Sequence, residues 1–418
     1  MRPDCGFISL DRRIGMAEKK VLVIHRGYPL GVEAGDKVRT LSMVASLQKM
    51  GYRVILLGFF TKGWSRLKKE KRSLPAGLEV ILLYSLPNRL HLAKIAEWIR
   101  AIETYVICKW YSIDVIQAEL SASATCARLV PAIPLVTDFH SDIVPEVKME
   151  HYPEDVVRHA ASENRFALRR SDRTITVSEN LWRNLGVYGS GKGSNFILPC
   201  NFNAEPFQAL QPDIRTRLRK EYGLTDRIVL CYSGAFRVWQ CIEETLEVVI
   251  RLRKLNPAYY LCIFTNDEIA PYRKQLEQLE GNYMVKGLTR AEVPAYLSMT
   301  DAGFVLRADS LVNINSSPTK TSEYLAAGAM VIATKYAGDA PKQIEESGCG
   351  VVLEGLSITD AELRKLDERL TGYAREYASE SARAKGYVFQ HRVWASNEKK
   401  LRNLYEELDV RGKGALRE

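Results

Sequence analysis

One alternation, run twice, limits what this chain can fold into: short apolar segments of strand length separated by stretches with helical spacing. Residues 21–25, 54–60, 78–84, 114–118, 134–138 and 173–177 form the first set. A helical pattern over 38–50, stopped by Gly51, follows the first of them. Pro199, Asn201, Asn203 and Pro206 then break the pattern and put a domain boundary within 199–212. The alternation restarts with a strand at 228–233, a helix at 242–255, a strand at 259–265 and a helix at 292–299. Strands near 302–306 and 330–334 follow, and the tail over 361–408 reads as charged helix. Continuous apolar strands between helices predict parallel sheets covered on both faces. The expected fold class is α/β, two Rossmann-like doubly wound domains facing a cleft. Ligands of such sheets bind at the carboxyl ends of the strands. A chain of 418 residues has room for two domains of about 100–200 residues each.

The segment with the most chemical information is Ser317-Pro318-Thr319-Lys320-Thr321-Ser322-Glu323-Tyr324-Leu325-Ala326-Ala327-Gly328. It reads as a complete helix: Ser317 as N-cap, Pro318 at the first helical position, Gly328 as the stop. Lys320 is out of place, because a cation in the first turn opposes the helix dipole by roughly 0.3–1 kcal/mol. An anionic ligand resolves the conflict. Free amides, Ser316, Ser317 and Thr319 hydroxyls and the Lys320 amine could converge on a phosphate. Glu323 falls on the same helix face, where it could accept hydrogen bonds from ribose hydroxyls. A plain Lys320–Glu323 surface pair is the competing reading.

Ser-Pro-Thr-Lys-x-x-Glu-Tyr-Leu-Ala-Ala-Gly resembles the donor-binding motif of glycosyltransferase family 4, retaining enzymes of GT-B architecture. Weaker likenesses agree. Tyr28-Pro29, Gly35 and Arg39 resemble the family's first loop and helix, and 136–140 resembles its strand ending in a cleft histidine. Val177-Ser178-Glu179 and Leu198-Pro199-Cys200-Asn201 resemble the segments before the domain junction. Cys231-Tyr232-Ser233-Gly234 resembles the first strand of the donor domain, and 387–408 the final helix that crosses back. Residues 1–15 are polar and mixed without a signal peptide's apolar core, so 1–20 is expected to be an extension, either disordered or preceding a natural start at Met16. The resemblance implies an acceptor-side domain over 21–203, a donor domain over 204–386 and the crossing helix over 387–418.

For the site, the resemblance implies His140, Lys320 and Arg237 as catalytic groups. It implies a donor-binding set of Gly35, Gly234, Gln240, Gly287, Leu288, Ser316, Ser317, Thr319, Lys320 and Glu323. The expected substrate is a nucleoside diphosphate sugar, transferred with retention to a glycan or lipid-linked acceptor in cell-surface polysaccharide or glycolipid synthesis. Three positions depart from the family: its first glutamate falls on Asn315, and its Arg and Lys after the strand-ending glycine fall on Ala235 and Gln240. A subgroup with Ser-Gly followed by Trp-Gln resembles Ser233-Gly234 and Trp239-Gln240, and Arg237 is the candidate substitute for the missing charge. A solvated loop cation is the alternative for Arg237, and a structural histidine for His140. A sugar-nucleotide 2-epimerase and a non-catalytic partner subunit of a glycosyltransferase remain as other readings.

Asp138, His140 and Asp142 have no metal-site spacing, and no Asp-x-Asp occurs, so neither metal nor cofactor is expected. Gly186-x4-Gly191-Lys192 mimics a P-loop but carries Gly193 where the magnesium-binding hydroxyl belongs. There is no Gly-x-Gly-x-x-Gly after the first strand, which weakens a nicotinamide reading. Net charge is +9, yet no nucleic-acid-binding module is recognisable. Basic residues Lys62, Arg66, Lys68, Lys69, Lys71 and Arg72 follow one another near Trp64. The amphipathic stretch 90–111 adds Trp98 and Trp110 with Arg89, Lys94, Arg100 and Lys109 around it. Such a patch suits peripheral contact with an anionic membrane, or a solvated face over a core helix. The eight cysteines lack a C-x-x-C pair and predict reduced thiols, hence a cytoplasmic protein, and the basic patch adds the expectation of a peripheral position on the inner face of the plasma membrane.

Overall fold

The computed structural model describes residues 18–30, 35–60, 78–86 and 93–414. The expected extension up to residue 17, the basic stretch 62–72 with Trp64, and Arg89 lie outside the described residues.

Seven strands make the first sheet: β1 (Lys20–His25), β2 (Arg53–Phe60), β3 (Glu79–Tyr84), β4 (Val115–Glu119), β5 (Leu135–Phe139), β6 (Arg173–Thr176) and β7 (Ser194–Ile197). All are parallel, in the order β3-β2-β1-β4-β5-β6-β7. Six more make the second: β8 (Ile228–Ser233), β9 (Tyr259–Phe264), β10 (Tyr283–Lys286), β11 (Ala302–Val305), β12 (Met330–Thr334) and β13 (Gly350–Leu353). Their order is β10-β9-β8-β11-β12-β13, again parallel. Strands β7, β10 and β13 were not foreseen. Each has four residues and lies at a sheet edge, too short for a periodicity signal.

The central strands β1 and β8 are almost wholly apolar because both faces are covered. Along β1, Val21 and Val23 enter one core with Leu47 and Val54, while Leu22 and Ile24 enter another with Ile107 and Ala118. In β8, Ile228, Leu230 and Tyr232 pack on one side and Val229 and Cys231 on the other. The seven described cysteines are free thiols, six of them buried.

The tail divides into helices Asp360–Arg375, Tyr377–His391 and Trp394–Gly414. The last lays Leu401, Leu404, Tyr405 and Leu408 on the first sheet, and Tyr405 Oη donates to Gln117 Oε1 at 2.7 Å. A bridge between Phe202 and Val393 marks where the chain passes between the two sheets in both directions.

Strand order reverses between β1 and β4 in the first sheet and between β8 and β11 in the second. Crevices form at such switch points, beyond the carboxyl ends of the strands. Their rims carry His25 and Glu119 on one side of the cleft and Ser233-Gly234 and Leu306-Arg307 on the other.

Candidate active site

The Thr319–Ala327 helix begins beside the second switch point. Its N-cap is Pro318, with no side chain capping the first amides, and it ends at Gly328 in the left-handed conformation, φ 82°. Ser317 therefore does not take the expected N-cap role. Its hydroxyl donates to Asp339 Oδ2 at 2.8 Å and accepts from Cys200 N at 3.0 Å and Arg392 Nη2 at 3.1 Å. Those long-range partners draw Ser317 into the domain junction and leave the helix start open to an exogenous acceptor.

Lys320 turns inward from that first turn. Its Nζ donates to Gln240 Oε1 at 2.9 Å and lies 4.8 Å from the Tyr232 ring centroid. Burial first, then the charge of Arg307, pushes the amine down to about 7. This excludes the plain surface pair. Gly234, at φ 124°, ends β8 directly under the amine, and a Cβ there would sit 2.6 Å from Lys320 Nζ. Glu323 is half-buried one turn on, and burial holds its carboxyl above the usual range against the pull of Arg290 and Lys320. Tyr324 is fully buried over Gly303 and fixes the helix to β8 by accepting from Ser233 N at 3.0 Å.

The other expected donor residues scatter around this centre. Thr319 is exposed at the helix start, and Ser316 Oγ donates to Asn313 O at 2.7 Å. Gly287 follows β10, where a Cβ would meet Asn266 Oδ1 at 2.5 Å, and Leu288 packs against the core. Gly35 opens the Gly35–Lys49 helix across the cleft. Arg237 stands exposed on the loop after β8, joined to Ala235 O only through its backbone.

On the first-sheet side, His140 follows β5. Its Nε2 lies 2.8 Å from Glu119 Oε2 and 3.5 Å from Asp138 Oδ2, and its buried Nδ1 has no partner. Burial lowers the imidazole's basicity, but Asp138 and Glu119 outweigh it and lift it to about 9. Asp138 gives both oxygens to Arg39, at 2.8 and 3.0 Å, and Arg39 also reaches Leu198 O and Pro199 O. Glu119 was missed in the sequence because it belongs to a different strand. Glu119, Asp138 and His140 place ligand-type atoms within 4.8 Å of one another. Both Asp138 oxygens are already taken by Arg39, which does not suit a divalent cation.

The two halves touch next to the site. Ser178 Oγ donates to Asn315 O at 2.8 Å, Asn180 Nδ2 to Ile314 O at 3.3 Å, and Asn184 Nδ2 to Asn315 Oδ1 at 2.6 Å. The residue that stands where the family has its first glutamate thus serves here as a neutral contact between domains.

Comparison with known proteins agrees with this geometry. Residues 35–194 match Glycosyltransferase Family 4, and residues 214–385 match Glycosyl transferases group 1. A curated relative is 27% identical over 180 residues: a GDP-mannose-dependent alpha-(1-6)-phosphatidylinositol monomannoside mannosyltransferase of Mycolicibacterium smegmatis. The match spans 38% of this chain and 43% of that one. Among solved structures, sucrose-phosphate synthase from Thermosynechococcus elongatus superposes with TM-score 0.73 at 15% identity, covering 94% of this chain and all of the other. Anabaena HepE in complex with UDP-glucose gives TM-score 0.67 at 14% identity, over 93% of this chain and 99% of that one. These likenesses show a GT-B fold.

Proposed function

Since the chain belongs to the family 4 glycosyltransferases and has the GT-B fold, we propose that it moves a sugar, with retention, from a nucleoside diphosphate sugar to a glycan or lipid-linked acceptor. One observation carries this reading: an uncapped helix start, a half-buried lysine and a close-approach glycine meet at the switch point of the second sheet. Together they gather donors around Lys320, with Glu323 the acid that acts on it, which suits a diphosphate. Binding it returns Lys320 to its ammonium form and aligns the first amides of the helix with the phosphates. Glu323 is placed to accept from ribose, and the base lies toward Gly287 and Leu288.

The chemistry is charge management. As the glycosidic bond breaks, negative charge grows on the leaving phosphate, and preorganised amides and Lys320 stabilise it. His140 enters as an imidazolium clamped at Nε2, so its Nδ1–H can donate to a sugar hydroxyl. Glu119 and Asp138 hold that imidazolium and are spent in doing so; neither is free as a nucleophile. The leaving phosphate itself then accepts the acceptor's proton. The interdomain bonds at Asn315 favour a closed cleft that limits hydrolysis of the donor.

The acceptor side has its own support. Among the described residues of the Ala93–Tyr111 helix, all the exposed ones are apolar, aromatic or lysine: Lys94, Ile95, Trp98, Ile99, Ile102, Tyr105, Val106, Lys109 and Trp110. A face with that composition complements an anionic bilayer, consistent with a lipid-linked acceptor and an inner-leaflet position. No helix among the described residues is long and apolar enough to cross a membrane. A turnover screen of UDP-, GDP- and dTDP-sugars tests the transferase reading. Donor conversion without an acceptor indicates epimerisation instead, and absence of any sugar-nucleotide binding overturns both. Sedimentation with phosphatidylglycerol vesicles at low salt tests the membrane contact, which is abandoned if the protein stays in the supernatant.

A further inference from the structure

We propose that Arg307 is the second cationic ligand of the donor's diphosphate, in place of the charge that Ala235 and Gln240 do not provide. This rests on the transferase reading above and specifies how its donor site is built. Arg307 follows β11 at the carboxyl end, on the opposite rim of the switch point from Gly234. Its backbone is pinned there by β12: Arg307 N donates to Thr334 Oγ1 at 2.9 Å, and that hydroxyl donates to Arg307 O at 2.7 Å.

The side chain is 5% exposed and has one hydrogen bond, from Nη1 to Leu306 O at 2.7 Å. No carboxylate pairs with it among the described residues. A guanidinium offers five donors, so four N–H groups are left over. Nε and Nη2 are not among the buried atoms left without a partner. The charged and titratable groups around it are Tyr232 of β8, Cys241, Tyr324 and Lys320. Two cations therefore lie near each other, and the acid acting on Lys320, Glu323, is itself held toward its neutral form. Burying an unpaired guanidinium next to an amine is unfavourable in the free protein. A diphosphate lying between Gly234 and Arg307 supplies the missing negative charge to both, and the planar fork suits two phosphate oxygens.

Arg237, the cation expected from sequence for this task, is exposed, and its side chain has no hydrogen bond or ion pair among the described residues. Arg307 was passed over because it lies 13 residues before Lys320, outside the motif.

The test compares wild type with Arg307→Met and Arg307→Lys. Calorimetry with UDP, GDP and dTDP should show the diphosphate that wild type binds weakened roughly tenfold or more by Met, the size of one charge-assisted contact, and less by Lys. A second readout needs no ligand. NMR titration of the Lys320 amine in lysine-labelled protein should move upward from about 7 in Arg307→Met, because a repelling charge is gone. Wild-type diphosphate affinity in a folded Arg307→Met protein, or an unmoved Lys320 titration, overturns the assignment. If Met does not fold, Arg307→Lys decides alone: undiminished affinity there overturns it too. A wild-type protein that binds none of the three diphosphates removes the transferase reading itself, which keeps the two failures distinct.

Discussion

The depressed basicity of Lys320 makes donor affinity a function of pH, with a sign opposite to that of folding. In the free protein the amine titrates at about 7. Bound between phosphates it should return toward the ordinary lysine value of about 10.4. Donor binding is then accompanied by uptake of about 0.9 proton near pH 8 and about 0.1 near pH 6. Between about pH 6.5 and pH 8.5 the affinity should fall about 25-fold, or about 1.9 kcal/mol. The donor's own phosphates are both esterified and do not titrate in this range, so the trend belongs to the protein. Folding behaves in reverse. A lysine whose folded value lies below its unfolded one binds more protons in the unfolded chain, so its contribution to stability rises with pH from about 7 to about 10.5. The assay is calorimetry of UDP-glucose, GDP-mannose and dTDP-glucose in two buffers of different ionisation enthalpy. Lys320→Met should abolish the uptake along with most of the affinity, with no loss of thermal stability, since it removes a buried amine. Affinity independent of pH over this range, with no heat difference between buffers, would refute the placement of the phosphates on Lys320.

Three further outcomes follow from the geometry. Glu119→Gln removes one of the two anions holding His140, so the His140 titration should drop from about 9 and the alkaline limb of the turnover profile should move with it, read by NMR and kinetics. Because that histidine is raised, its contribution to stability is full below about 6.5 and lost as pH rises through about 9, and in the variant, where Asp138 remains, that dependence should shrink. Gly234→Ala puts a Cβ 2.6 Å from Lys320 Nζ at a backbone φ of 124°; donor affinity should collapse, with about 1–3 kcal/mol of stability lost in denaturant titration. Tyr324→Phe leaves Ser233 N without its acceptor and should cost about 1–3 kcal/mol while the helix stays in place, checked by thermal unfolding and circular dichroism.

The local grammar of this chain was legible in its sequence. Apolar strands long enough to repeat, Gly328 as a helix stop and a lysine contradicting the helix dipole are each set by residues a few positions apart. Periodicity, backbone sterics and the dipole all act over that range, so they can be read without a fold. The partnerships that make a site out of these parts were not legible. Glu119 meets His140 across two strands, Lys320 finds Gln240 across 80 positions, and Ser317 leaves its cap for Cys200, 117 positions away. Arg307 becomes the companion of Lys320 because strand order reverses between β8 and β11. Desolvation and Coulomb interaction depend on distance through space, and only the packing of two sheets and their connecting helices sets that distance.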